Sequence, residues 1–502
     1  MIESIMQRIN LYIAAFCLRS MVVEHNCGLV VARTLHDAYN FIESLQHRGR
    51  DAVGIAAVGD DRIDVLKWVG GVKSFDKTDL HRLFDDNYHT FLAHVRYATR
   101  GNKDGNSLIR SAHPVVIGGE EHRRKDHLII RGCDAVAVHN GQVADKYFEG
   151  VELTGLKGDG DTEKLLRLYQ KIGIKELVRR VPGAYTLVIA DRRCRDVMAV
   201  RDRTGIRPGV LGFKDTKYAA ASEDIVFQEN GGIAVEEMTP GVIYYFSPDG
   251  RYSTEKVIEP TFRRCFFEWN YLTSAYSNLN GVNVLALRRK LGEKLAEEFN
   301  LDGIDLVTFV PRCPEPAARS YAAALGLPFK DDVFYKRNAQ RSFLGPDARE
   351  RKNSIEENLH LKDGMRNVIC GKNIIVIDDS TIRGNNAKYV RKLLYEDAGV
   401  REAFLLNYTP QVGIIGDDGA ARGCESGVDM PPEENPEHKF IARNRTIEQI
   451  STEIGMPAQF ISVKGMFDVF KSFGIPEKEL CTFCIGGRHP LADLETRVFG
   501  VA

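Results

Sequence analysis

A change of texture near residues 255–262 constrains this chain more than any other feature. Before it, short apolar runs follow one another at 27–32, 53–58, 91–95, 135–138, 185–189 and 197–200, each bounded by polar or turn residues. Two helices are expected among them. One follows Thr34 as its cap, with Leu35, Ala38, Phe41, Ile42 and Leu45 at helical spacing and Gly49 as its stop; the other covers 162–172. Many strands with few helices predict layered sheets. Beyond Thr254, helix 284–299, strand 305–310, helix 316–325, strand 373–377, helix 387–396 and strand 403–408 alternate, which is the pattern of a parallel α/β sheet. The 502 residues exceed the ~250–300 that one core supports. Two units therefore fit the length, divided as 27–258 and 259–502, with 1–26 as an upstream extension or propeptide. The polar, Gly- and Pro-rich stretch 413–436 is the expected long loop.

Sixty-eight Lys and Arg against sixty-nine Asp and Glu leave a net charge of −1, so no polycationic surface advertises nucleic acid or anionic lipid. Any phosphate must be held locally. The apolar run at 11–18 is far short of the ~20 residues of a membrane span and has no cleavage site after it, so a cytoplasmic protein without membrane attachment is expected. Met21 offers an alternative start. Ten cysteines are too few for a disulfide scaffold, and their spacing is irregular except for Cys481-x-x-Cys484.

Cys27 stands immediately before an apolar strand and is followed by Gly28. Downstream come Gln46-His47-Arg48-Gly49, His94-Val95-Arg96-Tyr97-Ala98-Thr99, His139-Asn140-Gly141 and Gly160-Asp161-Thr162-Glu163. Singly, each has a bland reading: a buried thiol, a surface ion pair, a hairpin turn, a helix cap. In this order they resemble the class II glutamine amidotransferases, N-terminal nucleophile hydrolases with a four-layer αββα sandwich. The resemblance implies that Cys27 is the nucleophile and that its freed α-amino group is the base, so that 1–26 must be removed. It further implies that Arg96 grips the α-carboxylate of glutamine, that Asp161 faces its α-ammonium, and that Asn140 and Gly141 form the oxyanion hole. Arg100 and Gln142 depart from the family, which has a small polar residue and Asn there.

The apolar strand 374–377 runs into Asp378-Asp379-Ser380-Thr381-Ile382-Arg383-Gly384-Asn385-Asn386 and then a helix. Two acids at a strand end can take the hydroxyls of a ribose, while loop N–H groups and a helix N-terminus hold its 5′-phosphate. This segment resembles the type I phosphoribosyltransferase signature. The resemblance implies Asp378, Asp379, Ser380, Arg383, Gly384, Asn385 and Asn386 as phosphoribosyl-binding residues, with Asp378 and Asp379 also at Mg²⁺. The combination of halves is similar to the amidophosphoribosyltransferase family, which transfers glutamine ammonia to phosphoribosylpyrophosphate in purine synthesis. Two other readings stay open: ammonia delivery to a different phosphosugar, and a second half that only senses nucleotides. They stay open because the family's Arg-Gly-Thr-Thr-Ser is here Arg383-Gly384-Asn385-Asn386-Ala387, and its pyrophosphate loop Val-Pro-Asp-Ser-Gly-x-Pro is here Val310-Pro311-Arg312-Cys313-Pro314-Glu315-Pro316. Pro314 has no N–H to offer, and Cys313 stands where a hydroxyl near Mg²⁺ is expected. Lys336-Arg337 and Arg341-Ser342-Phe343 are similar to the family's closing loop.

One branch of that family, the bacillus type, carries a 4Fe-4S cluster, and the resemblance implies Cys265, Cys424, Cys481 and Cys484 as its ligands. On chemistry alone zinc fits four cysteines equally well. The resemblance also implies a homotetramer inhibited by purine nucleotides.

Overall fold

The computed structural model describes residues 27–85, 87–96, 105–148, 151, 153–157, 160–337, 355–426, 430–432 and 439–494. The extension 1–26, Tyr97 to Arg100, and Arg341, Ser342 and Phe343 lie outside the described residues.

The first half comprises strands β1 (Gly28–Ala32), β2 (Ala52–Val58), β3 (Ile63–Val69), β4 (Thr90–Arg96), β5 (Val115–Arg123), β6 (His127–Gln142), β7 (Ala184–Asp191), β8 (Val197–Arg201), β9 (Val210–Lys214), β10 (Lys217–Ala221), β11 (Ile233–Glu237), β12 (Val242–Phe246) and β13 (Tyr252–Lys256). Hydrogen bonds join them in the order β11-β9-β10-β1-β4-β2-β3-β6-β7-β8-β12-β13, with β5 beside β6. Strand alternation folds this path into two facing layers. Leu29 and Val31 share a core with Val136, Val138, Val188 and Ala190 from the other end of the path. Val30 and Ala32 face oppositely, onto Phe41 and Ile42 of helix α1 (Leu35–Ser44). Ala135, Ala137, Leu187 and Ile189 face Leu165, Leu166 and Leu177 of helix α2 (Asp161–Arg180). The result is helix, sheet, sheet, helix: the αββα sandwich.

The sixteen-residue β6 links the layers. Its start pairs with β3 (Ile130 opposite Val65), and its end pairs with β7 (Asn140 opposite Thr186). Only 135–138 of this strand is expected from hydropathy, because His127, Arg131, Asp134 and His139 interrupt the apolar pattern. Seven strands (β3, β5 and β9 to β13) have no counterpart in the expected set; β5 carries Gly118, Gly119, Glu120 and Glu121, and β3 carries Asp64 and Lys67. Thr34 caps α1 by accepting from the Asp37 N–H at 3.0 Å. The helix ends at Ser44 rather than near Gly49. Residues Gln46–Arg48 form a 3₁₀ turn, and the Gln46 side chain accepts from the Val72 N–H at 2.6 Å. Helix α2 continues past 172 through a kink at Gly173.

In the second half, β14 (Leu306–Phe309), β15 (Asn373–Asp378), β16 (Glu402–Asn407) and β17 (Ala458–Phe460) form one parallel sheet in sequence order. Val307, Phe309, Ile375 and Ile377 pack on helices α3 (Val284–Glu298), α4 (Glu315–Leu325) and α7 (Val463–Ser472). Leu306, Ile374, Val376 and Leu405 pack on α5 (Asn385–Lys392) and α6 (Ile447–Ile454). Burial on both faces explains why these strands read as continuous apolar runs. Among the described residues, no helix is long and apolar enough to cross a membrane.

Candidate functional site

Antiparallel pairing of β1 with β4 sets Gly28 opposite Val95, so Cys27 and Arg96 are the next residues out on adjacent strands. Burial lowers the basicity of the Arg96 guanidinium, while Cys27, Asp51 and Asp161 lie close enough to favour its charge. Asp161 opens α2; its Oδ2 accepts from the Val143 N–H and its Oδ1 from the Thr162 N–H, both at 2.9 Å. The bland reading of Asp161 as a helix-end residue is thus part of the truth. Its carboxylate also pins the strand that carries Asn140 and Gly141.

Asn140 is 1% exposed, and its Nδ2 has no hydrogen-bond partner among the described residues. A buried amide donor without a partner costs about 1–3 kcal/mol, so it marks a place where an acceptor is missing. Gly141 has φ 143°, and a Cβ there would sit 1.8 Å from the Ala184 carbonyl oxygen. No other residue fits. Beneath this strand lie three histidines, His94 and His139 buried and His113 half-buried. His94 Nε2 donates to the His139 carbonyl at 3.0 Å, and Thr162 Oγ1 bridges His113 Nε2 and His139 Nδ1, each at 2.9 Å. Burial pushes His94 down to about 3 and His113 well below its usual range, so this floor is uncharged.

The acids of the second half end β15, at the carboxyl edge where ligands bind open α/β sheets. Asp378 and Asp379 are buried, and both carboxyls are pushed up: burial acts first on each, Asp379 then adds to the rise of Asp378, and Ser380 and Lys336 partly restrain Asp379, which reaches about 6. Ser380 Oγ donates to Asp379 Oδ2 at 2.8 Å. Gly384 has φ 80°, and a Cβ there would meet Ile441 Cδ1 at 2.4 Å; α5 follows at once, placing Asn385 and Asn386 in its first turn and Arg383 just before it. Half-buried Lys336 lies near both acids and Arg312. Cys313 is buried beside this site, near enough to Asp378, Asp379 and Lys336 for their charges to act on one another. Its Sγ is 3.5 Å from the Asn270 carbonyl and 3.6 Å from that of Tyr271, and burial pushes the thiol up to about 12.

The four remaining candidate ligands come together. Cys265, Cys424, Cys481 and Cys484 line one small pocket, walled also by Ile206, Arg207, Phe267 and Phe483. Cys265 and Cys481 are register partners in a short parallel pairing, and the Ser426 N–H donates to Cys424 Sγ at 3.4 Å. Burial followed by the neighbouring thiols pushes Cys484 well above its ordinary value. Among the described residues, no three His, Cys, Asp or Glu side chains converge as they would on a single ion.

The glutamine amidotransferase domain family matches residues 130–262. The amidophosphoribosyltransferase of Bacillus subtilis is 27% identical over 466 residues, 90% of each chain, and that of Synechococcus elongatus is 29% identical over 476 residues, 91% of this chain and 88% of that one. The solved glutamine phosphoribosylpyrophosphate amidotransferase of B. subtilis, complexed with ADP and GMP, superposes with a TM-score of 0.74 at 25% identity, over 92% of this chain and 97% of its own. The chain is a homologue of the amidophosphoribosyltransferases. Arg48, Arg207 and Glu268 are each at most 1% exposed and meet in one ionic network. His113 escaped notice altogether, since a lone histidine before proline carries no periodic signal.

Proposed function

We propose that this homologue of the amidophosphoribosyltransferases is a glutamine-dependent amidotransferase that hydrolyses glutamine at Cys27 and passes the ammonia to phosphoribosylpyrophosphate, giving 5-phosphoribosylamine for purine synthesis. The observation that carries the reading is the unpartnered, buried Asn140 amide one residue from Gly141, on a strand pinned by Asp161, which also acts on Arg96. Arg96 would take the α-carboxylate of glutamine and Asp161 its α-ammonium. The α-amine of a processed Cys27 removes the thiol proton, and the thiolate attacks the carboxamide carbon. Asn140 Nδ2 and the Gly141 N–H stabilise the oxyanion. Collapse expels ammonia, with a proton supplied by the same amine, and leaves a thioester that water hydrolyses to glutamate. Asp378 and Asp379 would hold the ribose hydroxyls, and Ser380, Arg383, Gly384, Asn385 and Asn386 the 5′-phosphate at the start of α5. Ammonia then displaces pyrophosphate from C1.

Two inorganic groups fit. Asp378 and Asp379 would hold Mg²⁺, which would neutralise charge on the departing pyrophosphate and relieve the repulsion between the acids. Cys265, Cys424, Cys481 and Cys484 would hold a 4Fe-4S cluster, a structural tie between three distant segments. Four thiols without a histidine or carboxylate among them suit a cluster and a zinc ion alike; the similarity to the amidophosphoribosyltransferases supports the cluster. Purine nucleotides as inhibitors, a homotetramer and a cytoplasmic location complete the proposal; the bound ADP and GMP of the B. subtilis relative support the first.

Glutamate release assayed with and without phosphoribosylpyrophosphate and Mg²⁺, with trapping of phosphoribosylamine, tests the function. Stimulation with trapped product is expected. Glutaminase activity indifferent to that ligand would sink the acceptor assignment and leave a different phosphosugar, or a sensor role, in its place. Intact mass of the active protein should begin at Cys27.

A further inference from the structure

A line of contacts, buried at its centre and half-buried at its ends, joins the four-cysteine pocket to the nucleophile, and no step of the reaction above uses it. Arg48 Nε donates to the Cys27 carbonyl at 3.2 Å, and Arg48 Nη2 reaches both oxygens of Glu268 at 3.1 Å. Arg207 Nη1 donates to the same carboxylate at 3.0 Å, and Arg207 Nε to the Ser426 carbonyl at 3.0 Å. The Ser426 N–H in turn donates to Cys424 Sγ at 3.4 Å. Arg207 also forms part of the cavity wall. Glu268 is held from a third side by Thr273 Oγ1 at 3.0 Å, and Arg48 is shared with Glu223, which His47 Nε2 meets at 2.7 Å.

The chemistry of this line is that of two planar forks around one carboxylate. A guanidinium offers donors in fixed directions, so one that binds a carboxylate with one edge and a carbonyl with the other cannot satisfy both unless the two acceptors keep their spacing. Displacing Ser426 therefore turns Arg207, which shifts Glu268, which loads Arg48 and the Cys27 carbonyl. Arg48, Arg207 and Glu268 are each at most 1% exposed, so none of these three can exchange its partner for solvent. The loop from Cys424 to Ser426 is the movable end: a thiolate bonded to a cluster fixes it, and an unbonded thiol does not.

We propose that Arg207 and Glu268 are positioning residues that couple the filling of the four-cysteine cage to the placement of Cys27. This rests on the cluster and nucleophile assignments made above. Loss of the cluster frees Ser426 and lets the start of β1 drift, so that the glutaminase half is held ready only while the cage is occupied.

The test uses the full chain, loaded anaerobically or stripped by oxidant and chelator, with iodoacetamide as the probe and Cys27 carbamidomethylation followed by peptide mass spectrometry. In the wild type, stripping should slow alkylation of Cys27 by about tenfold, the scale of a misplacement of about 1 Å. In Arg207→Lys and in Glu268→Gln, which keep size and leave the four cysteines intact, the loaded protein should already react slowly, and stripping should add less than about twofold. Amide exchange in the peptide covering 28–32 should follow the same order. Equal rates in loaded and stripped wild type, or the same stripping factor in all three proteins, overturn the coupling while leaving the cluster assignment standing. A chain that takes up no iron–sulfur chromophore overturns the cluster assignment and the coupling together. Variants that melt lower but keep the wild-type stripping factor show Arg207 and Glu268 to be ordinary structural residues.

Discussion

Replacing Asn140 by alanine should remove activity at almost no cost in stability, an unusual outcome for a side chain only 1% exposed. The reasoning starts from the Nδ2 atom, which has no hydrogen-bond partner among the described residues. Keeping such a donor buried costs the folded protein about 1–3 kcal/mol, and truncation returns that. Truncation also forfeits the packing of the amide group, worth on the order of 1–2 kcal/mol for atoms of that size. The two nearly cancel, so urea unfolding should place the variant within about 1 kcal/mol of wild type. The rate tells a different story. An oxyanion donor typically contributes about 10²–10³ in kcat, or about 2.7–4 kcal/mol. Because the donor acts on charge that develops only in the transition state, KM for glutamine should change little. Glutamate release at saturating glutamine measures the first quantity and denaturant titration the second. A variant destabilised by more than about 3 kcal/mol with kcat intact would refute the reasoning, by showing that Asn140 Nδ2 serves the fold.

Gly141→Ala should do the reverse, costing about 3 kcal/mol or more in a urea titration, because its Cβ would lie 1.8 Å from the Ala184 oxygen and its φ of 143° is closed to side chains. An unchanged midpoint would show that the β6–β7 pairing yields easily. His94, depressed by burial to about 3, is neutral when folded, so its stabilisation is complete above its ordinary value near 6.5 and is lost as pH falls toward 3. The advantage of wild type over His94→Gln should shrink by about 2 kcal/mol between pH 7 and 5, and a constant difference would contradict the assignment. Asp379, raised to about 6, favours the fold below its ordinary value and loses that contribution as pH rises through 6, while Mg²⁺ needs the ionised form. Calorimetric Mg²⁺-dependent binding of phosphoribosylpyrophosphate should strengthen through pH 6 in wild type and lose that step in Asp379→Asn.

What was legible in the sequence follows from what is local. The strand 373–378 announces itself because both of its faces are buried, and Thr34 announces α1 because its cap is three residues away. Cys481-x-x-Cys484 is visible as a spacing. The ionic network was not, because Arg48 and Glu268 are 220 residues apart and a buried charge looks like any other charge until its partner is placed. The seven strands without a counterpart in the expected set include the outer strand β11, whose Glu236 and Glu237 blur the alternation, and β13, with Glu255 and Lys256.

Strand β6 carries a consequence for how the first half comes apart. Its opening residues are bonded to β3 and its closing residues to β7, so no hydrogen-bonded boundary separates the layers. Melting either layer alone would strip one end of a strand whose other end remains paired, and the inner face they share, from Leu29 to Val188, would open with it. The two sheets therefore constitute one cooperative unit, in which amides of 65–68 and of 184–191 become exchangeable at a common denaturant concentration. A nick within β6 would disable both layers at once, whereas a nick in the stretch between β6 and α2 would leave both sheets paired.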